Sequence, residues 1–182
     1  MLPIARALIP DRRAEDAPIP GIAALSLRAR LAIALRLFAG YCERRRVDHP
    51  AVGAYLDYFW WFVGMDGSTE AFGKWSAAEP PLVGAGLGWE WPEGFADHLA
   101  ARGVPEPEFR RAVCSASEVL YGSLYGACDE PGSRRFVGEL AALVHPHGVP
   151  FPDLRPFDGS GWADGHGWGR LVGPQELAAW RG

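Results

Sequence analysis

The chain has 182 residues, 48% of them hydrophobic and 22% charged, which excludes a disordered polymer and allows one sizeable core without requiring a second domain. Its formal net charge of −4 argues against a general nucleic-acid binder, because such proteins carry a basic footprint. The total hides an asymmetry: residues 1–50 hold nine Arg against five Asp/Glu, and residues 51–182 hold nine Lys/Arg against 17 Asp/Glu. An acidic C-terminal two-thirds can steer a basic partner, and solvated helix faces account for the same numbers. Lys74 is the single lysine among 18 basic residues. With abundant Ala and Gly, this looks like the codon usage of a GC-rich bacterial genome, so arginine counts carry little functional weight. Cys42, Cys114 and Cys128 are odd in number and have no paired spacing, which fits reduced thiols. The start, Met1-Leu2-Pro3-Ile4-Ala5-Arg6, has no basic stretch followed by a long apolar core, so no signal peptide is expected. No apolar run reaches the about 18 residues of a membrane span. The expectation is a cytoplasmic protein.

Pro3, Pro10, Pro18 and Pro20 predict an irregular arm over residues 1–24. Ser26 is a good N-cap for a helix to about Arg46, with Leu27, Leu31, Leu35, Phe38 and Cys42 facing inward. Arg28, Arg36, Arg44 and Arg45 are placed on its wet side, and Arg44-Arg45-Arg46 lie where the macrodipole favours cations. Asp48-His49-Pro50 starts a second helix to about Gly64, with Val52, Tyr55 or Leu56, Phe59 and Val63 as its stripe. Trp60 and Trp61 differ by about 100° around the axis, so this helix is buried on most sides or presents an aromatic patch. Asp66-Gly67-Ser68 reads as a turn, with Ser68 capping a short helix through Phe72 and Trp75. Residues 80–88 lack both the Lys-Ser/Thr ending of a phosphate loop and the dinucleotide fingerprint. They read as a plain loop that Trp89 and Trp91 pin to the core. Pro92 opens a helix holding Phe95 and Leu99 and ending at Gly103.

The stretch from Glu106 to Val144 reads as a helical hairpin around which the chain is organised. Phe109, Val113, Ala116, Leu120, Leu124 and Ala127 recur in steps of three and four, as do Phe136, Val137, Leu140, Leu143 and Val144. Asp129 and Pro131 suit the start of the second helix. After His145-Pro146-His147-Gly148, prolines and glycines interrupt every helix until Pro174, where a short one carries Leu177 and Trp180. Phe151, Leu154, Phe157, Trp162 and Trp168 are the expected anchors of this segment. The fold expected is mainly α: a single domain over 1–182, a bundle of about six helices, with an extended Gly/Pro-rich segment at 148–173 packed on the core.

No catalytic constellation emerges. There is no Gly-x-Ser-x-Gly elbow and no cysteine with a sequence-readable histidine partner. His145 and His147 with Asp153, Asp158, Asp164 and His166 are the one metal-like collection. They lack a ligand framework, so neither metal nor cofactor is expected. Gly122 and Gly126, one turn apart, suggest the close approach of a neighbouring backbone. Glu118, Tyr121 and Tyr125 share a second face of their helix, which packing or a recognition surface explains. Trp162 and Trp168 are expected to dock on the hairpin and to hold Asp164 and His166 at the surface as a partner-facing loop.

Several motifs carry a resemblance. They are Tyr121-Gly122-Ser123-Leu124-Tyr125-Gly126-Ala127-Cys128-Asp129, then Gly148-Val149-Pro150-Phe151-Pro152, then Gly165-His166-Gly167-Trp168-Gly169. His49-Pro50-Ala51-Val52 leading into an aromatic helix and a downstream Trp75 belongs with them. From about Leu25 to Gly169 the chain resembles small cytoplasmic immunity proteins of bacterial polymorphic toxin systems. The resemblance implies a non-enzymatic protein that binds a cognate toxin and covers its active site. The competing expectation is a small enzyme or ligand-binding protein with a tryptophan-lined pocket near the His/Asp-bearing C-terminal segment.

Overall fold

The computed structural model describes residues 19–124 and 128–182, and across them the protein is mainly helical. The α-helices are α1 (Leu27–Arg45), α2 (Pro50–Gly64), α3 (Thr69–Ala77), α4 (Pro81–Gly86), α5 (Phe95–Ala101), α6 (Glu106–Leu124), α7 (Glu130–Val144) and α8 (Pro174–Arg181). The proposed arm falls almost wholly outside the described residues, as do Tyr125, Gly126 and Ala127. Among the described residues no helix is long and apolar enough to cross a membrane.

Helix starts follow local chemistry. Ser26 Oγ accepts from the Ala29 amide at 3.3 Å, Ser68 Oγ from Ala71 at 3.1 Å, and Asp129 Oδ1 from Gly132 at 3.0 Å. Each satisfies an amide that the first helical turn leaves without a partner. His49 does the same for α2 with its Nδ1, 3.1 Å from the Ala51 amide.

Several expectations change, and the described residues hold eight α-helices rather than about six. Helix α4 forms inside the stretch read as a loop, with Pro81 at its first position, where a missing N–H costs nothing. The centre of the molecule is α1, which packs against α2, α6, α7 and α8 and is buried at every position from Leu27 to Leu35. The hairpin of α6 and α7 covers one side of it. Arg28, expected on the wet side, is only 5% exposed. Its guanidinium donates to the carbonyls of Phe62 at 2.8 Å and Val63 at 2.7 Å, at the end of α2. Phe62 O also accepts from the Met65 amide that caps α2, at 3.3 Å, and both carbonyls lie at the negative end of the helix dipole, so a buried cation is tolerated there.

Arg30 is fully buried, and its five donors meet five acceptors. Nε reaches Ile22 O, one terminal nitrogen reaches Glu130 O and Ser133 Oγ, and the other reaches Ala23 O and Glu130 Oε1, all within 2.8 to 3.1 Å. A complete match removes most of the cost of desolvating this ion. The indole of Trp162 lies over the same guanidinium, 4.3 Å from ring centre to Cζ.

Beyond α7 the chain turns through three short 3₁₀ segments (His145–His147, Arg155–Phe157 and Asp164–Gly167) before α8. Trp168 reaches Phe62 of α2, with ring centres 6.0 Å apart. Trp180 of α8 donates to Pro156 O at 2.8 Å. The tryptophans of this segment therefore rest on α1 and α2, and the hairpin is met where Gly167 lies against Cys128, just before α7. Gly122 is exposed, and no neighbouring backbone among the described residues approaches it. Asp129 N donates to the buried Ser123 Oγ at 3.0 Å, closing the end of the hairpin.

Candidate functional site

Three helices build an aromatic layer beneath one face of the protein. On α2, Tyr58 and Phe62 are one turn apart and meet Trp75 of α3, with ring centres 4.6 and 5.0 Å away. The Trp75 indole is buried and donates to Tyr58 O at 3.0 Å. Tyr121 of α6 joins from the other side, 6.2 Å from Trp75, and its hydroxyl lies 3.0 Å from that of Tyr58. It also donates to Glu79, at the entry to α4. Burial and the adjacent Glu79 carboxylate push the Tyr121 phenol well above its ordinary pKa, so it stays a neutral donor.

Two large apolar side chains on α2 and α3 reach solvent: Trp61 is 41% exposed and Phe72 39%. On α2 the directions are divided cleanly. Phe59 and Val63 enter the core, while Trp60 faces α8, where Arg181 lies 5.3 Å from its ring centre. Trp61 shares the remaining direction with the exposed Asp57, one turn earlier. That pairing is the sequence signal for its exposure. Phe72 lies 5.5 Å from Trp75 and carried no separate signal.

The residues singled out from the sequence divide between two neighbourhoods. Tyr121 belongs to the aromatic layer. Glu118, one turn back on α6, is half-buried toward α7, and burial raises its carboxyl above the usual range while Arg135 pulls it back. Tyr125 lies outside the described residues. Asp164 and His166 are exposed on the loop between Trp162 and Trp168. The Asp164 carboxylate accepts from the Gly161 amide at 3.0 Å, and His166 adopts φ of +56°. A run of rings, Trp168, Phe62, Trp75 and Tyr121, connects the loop to the layer without bringing His166 to Tyr121.

The cysteines Cys42, Cys114 and Cys128 are free thiols, and burial raises the pKa of each. The histidines of the metal-like collection part company. His147 stands by the C-terminal end of α1, 3.2 Å from Glu108 Oε1, which also accepts from Tyr41 at 2.6 Å. His166 sits by the N-terminal end of that helix, roughly 28 Å away along it. Among the described residues no three His, Cys, Asp or Glu side chains converge on a metal position. A cleft of about 530 Å³ opens at the C-terminal end of α1. Its lining is Cys42, Glu43, Arg46, Val47, Asp48 and Arg102, with no tryptophan among them.

No protein-family model, curated protein or solved structure matches the chain. A ring packed on a buried layer, as Phe72 is on Trp75, loses little freedom when a partner covers it, and Trp and Tyr are the residues that anchor protein interfaces.

Proposed function

We propose that the chain is a protein-binding module, an immunity protein that neutralises a cognate bacterial toxin in the cytoplasm by covering its active site. In this reading residues 1–182 form one domain, and the Gly/Pro-rich segment 148–173 packs across it to present Asp164 and His166. The partner is a protein, with neither nucleic acid nor membrane involved. The observation that carries the reading is the exposure of Trp61 on α2 and Phe72 on α3, 41% and 39%, with Phe72 packed against the buried, hydrogen-bonded Trp75. Large aromatic side chains held at a surface are the residue type that most often anchors a protein partner. The toxin itself enters through the sequence resemblance.

The test is co-expression with toxins encoded beside the gene, followed by titration of the purified pair. Growth should be rescued, and Trp61→Ala with Phe72→Ala should weaken binding by on the order of tenfold or more while the melting midpoint stays put. A chain that rescues no neighbouring toxin and binds none overturns the reading. The cleft at the C-terminal end of α1 has no tryptophan in its lining and lies away from Asp164 and His166, so it does not supply the pocket of the competing reading.

A further inference from the structure

The most exposed large apolar side chain among the described residues is Trp89, at 69%, and Leu87 two residues earlier is 47% exposed. The sequence pattern predicts that Trp89 pins a loop to the core. The structure instead pins the loop and leaves the ring out. The Trp89 amide donates to Gly84 O at 3.1 Å, and its carbonyl accepts from Arg110 at 3.0 Å. Arg110 also donates to Ala85 O and lies 4.2 Å from the ring centre of Trp91, which stacks on Phe95. One edge of the Trp89 indole rests on Gly84. A Cβ there would stand 2.5 Å from Trp89 Cε3, so only glycine offers this seat. Exposure is thus combined with a hydrogen-bonded backbone and a ring edge in contact with Gly84, which lowers the ordering cost of a contact made there.

The stretch of chain that carries Trp89 is acidic. From 79 to 97 the chain carries Glu79, Glu90, Glu93 and Asp97 and no lysine, arginine or histidine. Glu90, Glu93 and Asp97 make no ion pair among the described residues. The positive charge of Arg110 is turned inward to backbone carbonyls. Position along α6 adds a second relation. Trp89 is held at Arg110 and Glu79 at Tyr121, so Trp89 and the aromatic layer lie about 17 Å apart along that helix. One interface of ordinary size, about 800 Å² per partner, spans that distance.

We propose that Leu87 and Trp89 form the anchor of a docking surface for a basic, apolar-bearing segment of a protein partner. Apolar side chains of the partner cover the Trp89 ring, and its lysines or arginines pair with Glu90, Glu93 and Asp97. The proposal rests on the protein-binding reading above and names the partner chemistry at a second point of the same flank.

The test can be run before the natural partner is identified. The full chain, labelled with 5-fluorotryptophan and assigned by Trp89→Phe and Trp61→Phe, is titrated with a leucine–lysine repeat peptide and with its leucine–glutamate counterpart. The Trp89 resonance should shift saturably with the basic peptide and stay still with the acidic one. Trp89→Ala should weaken binding of the basic peptide by on the order of tenfold or more. Gly84→Ala, which keeps the tryptophan but removes its seat, should weaken it with an unchanged melting midpoint. Glu90→Gln with Glu93→Gln should flatten the salt dependence. An unmoved Trp89 resonance, equal binding of the acidic peptide, or an undiminished affinity of Trp89→Ala overturns the proposal. A toxin that shifts Trp61 and leaves Trp89 still overturns this inference alone. A Trp89 response to the basic peptide in a chain that neutralises no toxin overturns the immunity reading alone.

Discussion

Ser26 Oγ and Ser160 Oγ lie 2.7 Å apart across a sequence separation of 134 residues. The same Ser26 oxygen caps α1, so the segment after α7 is fastened at the N-terminus of the central helix. Backbone pairing reinforces the join: Ser26 N donates to Ser160 O at 2.9 Å and Trp162 N to Ala24 O at 2.8 Å.

Gly169 tests how firmly that segment is seated. It has φ of +86°, and a Cβ there would meet Ser26 Oγ at 2.4 Å and Ser26 Cβ at 2.6 Å. Gly169→Ala should cost at least about 2 kcal/mol in denaturant melts, from backbone strain and the collision together. Gly138, inside α7, has nothing within 4 Å of its added Cβ. Gly138→Ala should therefore stabilise by roughly 0.5–1 kcal/mol through helix propensity. A Gly169→Ala protein with the parent's midpoint would show that the segment is loosely held.

Arg30 should be the most sensitive polar position. Arg30→Ala leaves the Ala23 carbonyl without its donor, Ile22 O with the Leu25 amide alone and the half-buried Glu130 carboxylate with Arg134 at 3.6 Å, and should cost about 3–5 kcal/mol. Arg30→Lys should recover little of it, because an ammonium cannot serve five acceptors in the plane of a guanidinium. Urea melts of both variants decide this, and a fully stable Arg30→Lys would mean that charge alone matters.

Much of this fold is legible in the sequence. Ser26, Ser68 and Asp129 announce their helices because an N-cap is a local hydrogen bond. The Phe109, Val113, Ala116, Leu120 stripe is legible because α6 has one dry side. Helix α1 lacks that asymmetry: it is dry nearly all round, so no stripe identifies it as the centre. The burial of Arg28 and Arg30 depends on carbonyls of α2, of residues 22–23 and of α7, which no local window contains. Residues 80–88 look like a loop because their glycines are poor helix formers, and packing of α4 on α6 outweighs that propensity. The strip of Glu118 and Tyr121 is visible as spacing. Its division between the α7 side and the α2–α3 side is not, since that depends on which helices flank α6.

The pH dependence of stability should carry a signature from Glu118. Its carboxyl is raised in the folded state, first by burial, with Arg135 opposing. A raised acid binds its proton more readily when folded, so its contribution is most favourable below the ordinary carboxylate pKa. It turns unfavourable as pH rises through the folded value. Glu118→Gln should thus stabilise at neutral pH, and the gain should shrink to nothing in acid below the ordinary value. Paired melts across that range check it. A gain independent of pH would point to packing instead.

Tyr121→Phe removes one hydroxyl that bonds both Tyr58 and Glu79. The loss should be about 1–2 kcal/mol, with the aromatic contacts to Trp75 and Phe59 retained. Near-ultraviolet circular dichroism should stay close to the parent while the midpoint falls. An unchanged midpoint would mean that water replaces the hydroxyl without cost.

His166 separates a folding role from a binding role. Its φ of +56° lies in the left-handed region, where a side chain is strained, and it is exposed between two glycines of positive φ. His166→Gly removes that strain and should stabilise the fold by up to about 1 kcal/mol. If the loop from Asp164 to Trp168 faces a toxin, the same substitution deletes a contact and should weaken the complex. Stability and affinity then move in opposite directions, which a purely structural residue does not produce. His166→Ala keeps the strain and deletes the imidazole, so it should weaken binding at nearly constant stability. Denaturant melts and titration of both variants against the same toxin give the two readouts. Unchanged affinity in both would remove His166 from the interface and leave Trp61 and Phe72 to define it.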